Sequence, residues 1–179
     1  MKVLKRIGVA LLVLVALVLL TALFVKKDMH AEKEVVINKP KTEVFSYVKQ
    51  LKNQNSYSKW ATMDPAMKKD FRGTDGTVGF VSAWESNNSE VGKGEQEIKA
   101  VKEGERIDYE IRFIKPWESK ATSYMVTEAV SENQTKVKWG FDGNMMYPLN
   151  IMNLFMNMDE MIGKDFSTGL TNLKSNLEK

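Results

Sequence analysis

Few side chains in this sequence can do chemistry. The chain has no cysteine, which excludes disulfides, thiolate catalysis and Cys-ligated zinc or iron–sulfur centres. Its one histidine, His30, lies in a short polar stretch just after an apolar N-terminal segment. Metal binding by histidine clusters is therefore excluded as well, and no cofactor is implied. Two carboxylate pairs at i,i+2 spacing, Glu95/Glu97 and Asp108/Glu110, would each share one face of a strand. For Asp108/Glu110 that face is opposite an apolar stripe and reads as solvated. Asp159 and Glu160 flank a helical stripe and Asp165 lies off it, which places them at the surface. Ser82 and Tyr109 are the polar groups on apolar strand faces, where they would bond a ligand, act as a weak acid or be buried. There is no Gly-rich phosphate loop and no Ser-His-Asp set.

Methionine and tryptophan offer more. Met145, Met146, Met152, Met156, Met158 and Met161 crowd one stretch near the C-terminus. Methionine is flexible and polarizable, suited to surfaces that take varied apolar ligands, though it also fills cores. Trp84 and Trp139 sit on apolar strand stripes, where they would pack or line a cavity, and Trp60 follows a polar break. Trp117, after Pro116 in a turn, would sit at a cavity mouth or on the surface.

These residues are positioned by three kinds of segment. Ile7–Val25 carries no charge, and only Gly8 and Thr21 fall outside the apolar set. A bilayer-crossing helix needs about 20 such residues. A cleaved signal peptide has a shorter apolar core and a small-residue cleavage site, which Leu23-Phe24-Val25-Lys26 does not supply. The expected organisation is a basic tail at 1–6, a transmembrane helix at 7–25, a polar tether at 26–33 and one domain at 34–179. Basic residues on both sides of the span nearly balance. A short tail before a large domain points to the tail inside and the domain outside, with a bacterial inner membrane as the expected location. The formal charge of +3 comes from 26 basic and 23 acidic residues. Residues 1–28 hold five of the former and one of the latter, so the remainder is close to neutral and lacks the basic footprint that nucleic-acid binding needs.

Within the domain, Glu34–Ile37 reads as a strand, and Asn38-Lys39-Pro40 as the start of a short helix buried through Val44, Phe45, Val48 and Leu51. From about Lys68 to Asp142 the period is two. Ile107, Tyr109, Ile111 and Phe113 alternate with Asp108, Glu110 and Arg112, and Val137, Trp139 and Phe141 alternate in the same way. Val78, Phe80, Ser82 and Trp84 form a third stripe. Residues 121–130 are apolar on both faces, as in a covered or central strand. One apolar and one charged face describe an antiparallel sheet with one wet side. The C-terminus returns to helical spacing through Ile151, Leu154, Phe155, Met158, Ile162, Phe166, Leu170, Leu173 and Leu177, with Asn150, Asn153 and Asn157 as candidate caps. Gly163 and Gly169 interrupt that helix, leaving room for a ligand or allowing close approach to the sheet.

This order resembles the START-like helix-grip superfamily (SRPBCC; polyketide cyclase/dehydrase and birch-pollen-allergen relatives). The resemblance rests on Asn38-Lys39-Pro40-Lys41-Thr42-Glu43-Val44-Phe45 and Trp60, on Val91-Gly92-Lys93-Gly94-Glu95-Gln96 and on Thr135-Lys136-Val137-Lys138-Trp139. At the end comes the run from Gly163-Lys164-Asp165-Phe166 to Leu173-Lys174. It implies an α+β fold in which about seven antiparallel strands curve around a long C-terminal helix, with an apolar cavity between them. Family members bind lipids, sterols, polyketides or hormones, and some catalyse cyclisation or dehydration. An N-terminal anchor is not part of the common pattern. On this resemblance the expected function is a membrane-anchored domain that binds a hydrophobic small molecule or lipid. The alternatives are a cyclase/dehydrase-type enzyme and a non-catalytic interaction domain; no particular protein partner is indicated. The residues expected around the cavity are Trp60, Phe80, Trp84, Tyr109, Phe113 and Trp139 from the first two thirds of the domain. Met145, Phe155, Met158, Ile162 and Phe166 are expected from the last third, with no catalytic or metal-binding residue among them.

Overall fold

The structure is a computed structural model in which residues 2–179 are described. An N-terminal helix, α1 (Lys2–Phe24), leads through three residues, Val25 to Lys27, into strand β1 (Asp28–Ile37). A helix α2 (Lys41–Lys49) follows, then a single 3-10 turn and two one-turn helices, α3 (Gln54–Tyr57) and α4 (Lys59–Thr62). Six further strands complete the sheet: β2 (Lys68–Arg72), β3 (Val81–Glu85), β4 (Lys93–Lys102), β5 (Arg106–Lys115), β6 (Ser119–Ser131) and β7 (Gln134–Asn144). A 3-10 segment at Leu149–Leu154 precedes the long helix α5 (Met158–Leu177). The seven strands are antiparallel in the order β1-β7-β6-β5-β4-β3-β2. β1 and β2, consecutive in the chain, therefore form the two edges of the sheet, and α2, α3 and α4 bridge them.

The period-two stripes decide which face is buried. Ile107 and Tyr109 of β5, Met125 of β6 and Val137 and Trp139 of β7 are buried and point to the concave side. α5 closes this side over β1 and β7 with Phe166, Leu170, Leu173 and Leu177. The Phe166 and Trp139 rings stack with centroids 4.5 Å apart. A β-carbon at Gly169 would lie 2.8 Å from Trp139 Cζ3, and one at Gly163 2.8 Å from Lys33 Cε. Gly169 serves close packing of helix on sheet, while at Gly163 the near neighbour is only the flexible end of Lys33.

Several expectations need correction. Residues 28–33 are not a tether but the first six residues of β1, which pairs with β7 from Asp28↔Asn144 to Ile37↔Thr135. Its inward positions there are Met29, Ala31 and Lys33, and a small residue and a lysine stem do not announce a buried stripe. His30 accordingly lies on the outer face of this strand, with Nδ1 2.6 Å from Asp142 Oδ1. The C-terminal stripe is not one continuous helix: α5 starts at Met158, where Asn157 Oδ1 accepts from the Glu160 amide at 3.1 Å. Asn157 is thus the cap, and Ile151, Leu154 and Phe155 belong to or border the 3-10 segment. Val78 is exposed and precedes β3. β6 is central, between β5 and β7, as its two apolar faces suggest.

Candidate functional site

On the side of the sheet away from α5, the concave face is shaped by one contact. Trp84 of β3 pairs with Gly94 of β4, which pairs in turn with Phe113 of β5. A β-carbon at Gly94 would fall 2.5 Å from Trp84 Cζ2, so glycine is what lets the indole lie across the sheet. Trp84 Nε1 donates to the Val91 carbonyl at 3.2 Å, fixing the ring. Phe113 meets the indole edge-on with centroids 6.5 Å apart. On the opposite wall, Trp60 of α4 meets Phe166 edge-on at 5.8 Å.

Between these walls lies a cavity of about 150 Å³. Trp60, Trp84, Phe113, Trp139, Phe141 and Phe166 supply its aromatic surface, and Leu51, Ala61, Met67, Val91 and Ile111 add aliphatic or thioether surface. Its polar lining is Gln54, Asn55, Ser58, Ser82, Gln96, Ser123 and Lys69. Among the described residues no carboxylate, histidine or tyrosine lines it, and Lys69 is its one ionisable group. Ser123 Oγ is committed, donating to the Gly140 carbonyl at 2.8 Å. Gln54 is different. It is buried, and its Nε2 has no hydrogen-bond partner among the described residues. An unmet buried donor of this kind costs about 1–3 kcal/mol.

Of the eleven residues expected around a cavity, Trp60, Trp84, Phe113, Trp139 and Phe166 are brought together here. The others lie elsewhere. Phe80 is fully buried and stacked on Phe71 with centroids 6.3 Å apart. Tyr109 is fully buried in the core, its hydroxyl without a partner among the described residues, and burial pushes its pKa up, away from any acid–base role near neutrality. Ile162 packs against the core from α5. Met145 is half-buried, its amide donating to the Lys27 carbonyl at 2.8 Å. Met158 and Phe155 line a second hollow altogether, an open groove between the end of α1 and residues 153–159, and Phe155 is 83% exposed. A continuous helix would carry them over the sheet; the 3-10 segment turns them toward α1 instead. Two groups stand out among the lining residues outside that set. Ile111 and Phe141 lie on the inward stripes and were available from period alone. Gln54, Asn55, Ser58 and Ala61 sit on one-turn helices too short for any periodicity.

The charged groups lie outside. Arg112 on the convex face bonds Glu95 and Glu97, both at 2.7 Å, and also Glu110; Arg72 joins through Glu95. The Arg72 hydrogen bond, with Arg112, holds the Glu95 pKa below its ordinary value, and Lys99 and Arg112 do the same for Glu97. On the same face, burial and a hydrogen bond to Glu32 push the Tyr124 hydroxyl up to about 12. Asp165, expected at the surface, is half-buried in an ion pair with Lys59 that ties α5 to α4.

A sequence profile described as polyketide cyclase/dehydrase and lipid transport matches residues 28–178. A comparison with curated protein sequences returned no match. Among solved structures, the chain is similar to a protein from Thermobifida fusca determined by NMR, with TM-score 0.62 and 14% identity over 83% of this chain and 92% of that one. It is equally similar in fold to norcoclaurine synthase from Thalictrum flavum, solved with dopamine and hydroxybenzaldehyde: TM-score 0.62 and 9% identity over 84% of this chain and 86% of that one. The protein Ara h 8.0201 matches with TM-score 0.56 and 16% identity over 84% of this chain and 97% of that one. At these identities the structural matches speak to fold alone.

Proposed function

Because the chain belongs to the polyketide cyclase/dehydrase and lipid transport family, whose helix-grip fold it adopts, we propose that the domain binds a hydrophobic small molecule or a lipid chain in the cavity between β3–β5, β7, α4 and α5. The observation that carries this reading is the aromatic cavity walled by Trp60, Trp84, Phe113, Trp139, Phe141 and Phe166. A partly open cavity of about 150 Å³ is of the size at which an apolar protein cavity takes up a benzene-sized molecule. It suits one ring or a short alkyl segment, and a longer ligand would extend past Met67 and Trp60, which are only half-buried.

Binding is favoured over a cyclase or dehydrase step because such a step needs a positioned proton donor or acceptor. The lining offers amides, hydroxyls and one exposed lysine amine. We further propose that α1, with mean hydropathy 3.1 over its most apolar window, anchors the domain as a single pass. In this reading the domain lies on the extracytoplasmic side of a bacterial inner membrane.

The test is native mass spectrometry of the full chain purified in mild detergent, combined with displacement of a fluorescent apolar probe by fatty acids and aromatic ketones. We expect a retained apolar molecule or displaceable probe, with binding lost in Ser82→Trp, which fills the cavity. Absence of both retained ligand and probe binding would overturn the proposal.

A further inference from the structure

The 3-10 segment Leu149–Leu154 does not merely follow the sheet; it is fastened to the last two turns of α1. Tyr147 Oη donates to the Leu19 carbonyl at 3.2 Å. Asn150 Nδ2 donates to the carbonyls of Ala22 at 2.6 Å and Val25 at 2.9 Å. Asn153 Nδ2 donates to the Lys26 carbonyl at 3.0 Å. Three side chains thus meet carbonyls near the C-terminal end of α1, several of which have no partner within the helix. Ala22 is fully buried beneath them, the one buried residue of the helix.

This fixes a depth. The uncharged run Ile7–Val25 is 19 residues, about 28 Å as a helix, against a hydrocarbon core of about 30 Å. A span of that length has no slack: with Arg6 and Lys26 at the two surfaces, Leu19 lies six residues, about 9 Å along the helix axis, inside the lipid edge. A hydroxyl bonded to the Leu19 carbonyl must lie within the bilayer too. The side chains around it fit that environment. Met146, Tyr147, Leu154 and Met156 are exposed, and Phe155 is 83% exposed, an apolar cluster with no protein surface over it in the described chain.

We infer that residues 146–156 form a second membrane contact, lying in the interface of the same bilayer that α1 crosses. The inference rests on α1 being a membrane span. Tyrosine, phenylalanine and methionine beside a lysine-capped helix end are what an interfacial segment presents to lipid. The strand register extends the contact. β1 begins at Asp28 opposite Asn144 of β7, and Gly143 pairs with Ala121 near the start of β6. The β5–β6 turn, with Trp117 64% exposed, is therefore at the α1 end of the sheet. Phe113 of β5 lies at that same end, as do Trp84, two strands further on in β3, and Val91 in the β3–β4 connection. The domain lies with its α1 end on the bilayer and the cavity walls near the lipid surface.

The absence of native cysteine allows a direct test in the full chain reconstituted into phosphatidylcholine/phosphatidylglycerol vesicles. Single cysteines are introduced by Ala16→Cys in the span, Met146→Cys and Phe155→Cys in the contact, and Glu132→Cys in the β6–β7 turn at the opposite end. Each is spin-labelled, and collision with oxygen is compared with collision with a water-soluble nickel complex. We expect the oxygen-to-nickel ratio at 146 and 155 to be several-fold above that at 132 and to approach that at 16. Ratios at 146 and 155 equal to that at 132, with a lipid-like ratio at 16, would overturn this inference and leave the anchor intact. A water-like ratio at 16 would overturn the span itself and the inference with it.

Discussion

On the β1–β7 side of the sheet, α5 approaches so closely that a β-carbon at Gly169 would meet the Trp139 ring. On the β3–β5 side no long helix arrives; the one-turn helices α3 and α4 reach across, and the aromatic walls of Trp84, Phe113 and Trp60 enclose open volume. The same concave face thus holds a sealed half, where burial is spent on stability, and an open half, where it is spent on capacity. Apolar side chains line both. What separates them is the length of the covering helix and whether its residues fall at helical spacing.

That contrast can be broken most directly in the sealed half. Leu173 is fully buried beneath α5, and Leu173→Ala should cost about 2–5 kcal/mol of unfolding free energy, read by urea unfolding of the full chain in detergent. In the open half Trp84 is only half-buried. Trp84→Ala should cost less, about 1–2 kcal/mol, because part of its surface already faces solvent or cavity, while changing probe uptake more than any substitution under α5. Equal stability losses at the two positions would erase the distinction. The smallest effect belongs to the convex face. Glu95 and Glu97 have native-state pKa values below 4.5, through hydrogen bonds from Arg72, Lys99 and Arg112. A depressed carboxylate stabilises the fold fully above its unfolded-state value and loses that contribution as pH falls through the native one. Thermal unfolding midpoints should therefore drop only below about pH 4.5, and Arg112→Met should flatten the drop without altering probe binding.

The two halves also differed in how far they could be read from the sequence. Alternation in β5 and β7 and the i, i+4 spacing of Phe166, Leu170 and Leu173 identified the sealed half, because many contacts repeat one pattern. Trp84 and Phe113 were visible for the same reason. Gln54 and Ser58 were not: a one-turn helix repeats nothing, and their burial follows from the packing of α3 against α5 and α4. The first six residues of β1 give little strand signal because Ala31 and Lys33 face inward without looking apolar. Phe155 faces α1 rather than the sheet because the 3-10 segment breaks the helical period within the apolar stripe.

The early start of β1 carries a consequence for reach. On the proposed anchoring, the span ends at Val25 and the sheet begins at Asp28, leaving Lys26 and Lys27 as the whole leash, about 7 Å when extended. A domain on so short a leash cannot ferry cargo across an aqueous gap. Whatever enters the cavity must be drawn from the bilayer beneath it or delivered by a carrier that comes to it, and exchange becomes a matter of lateral encounter in the plane of the membrane.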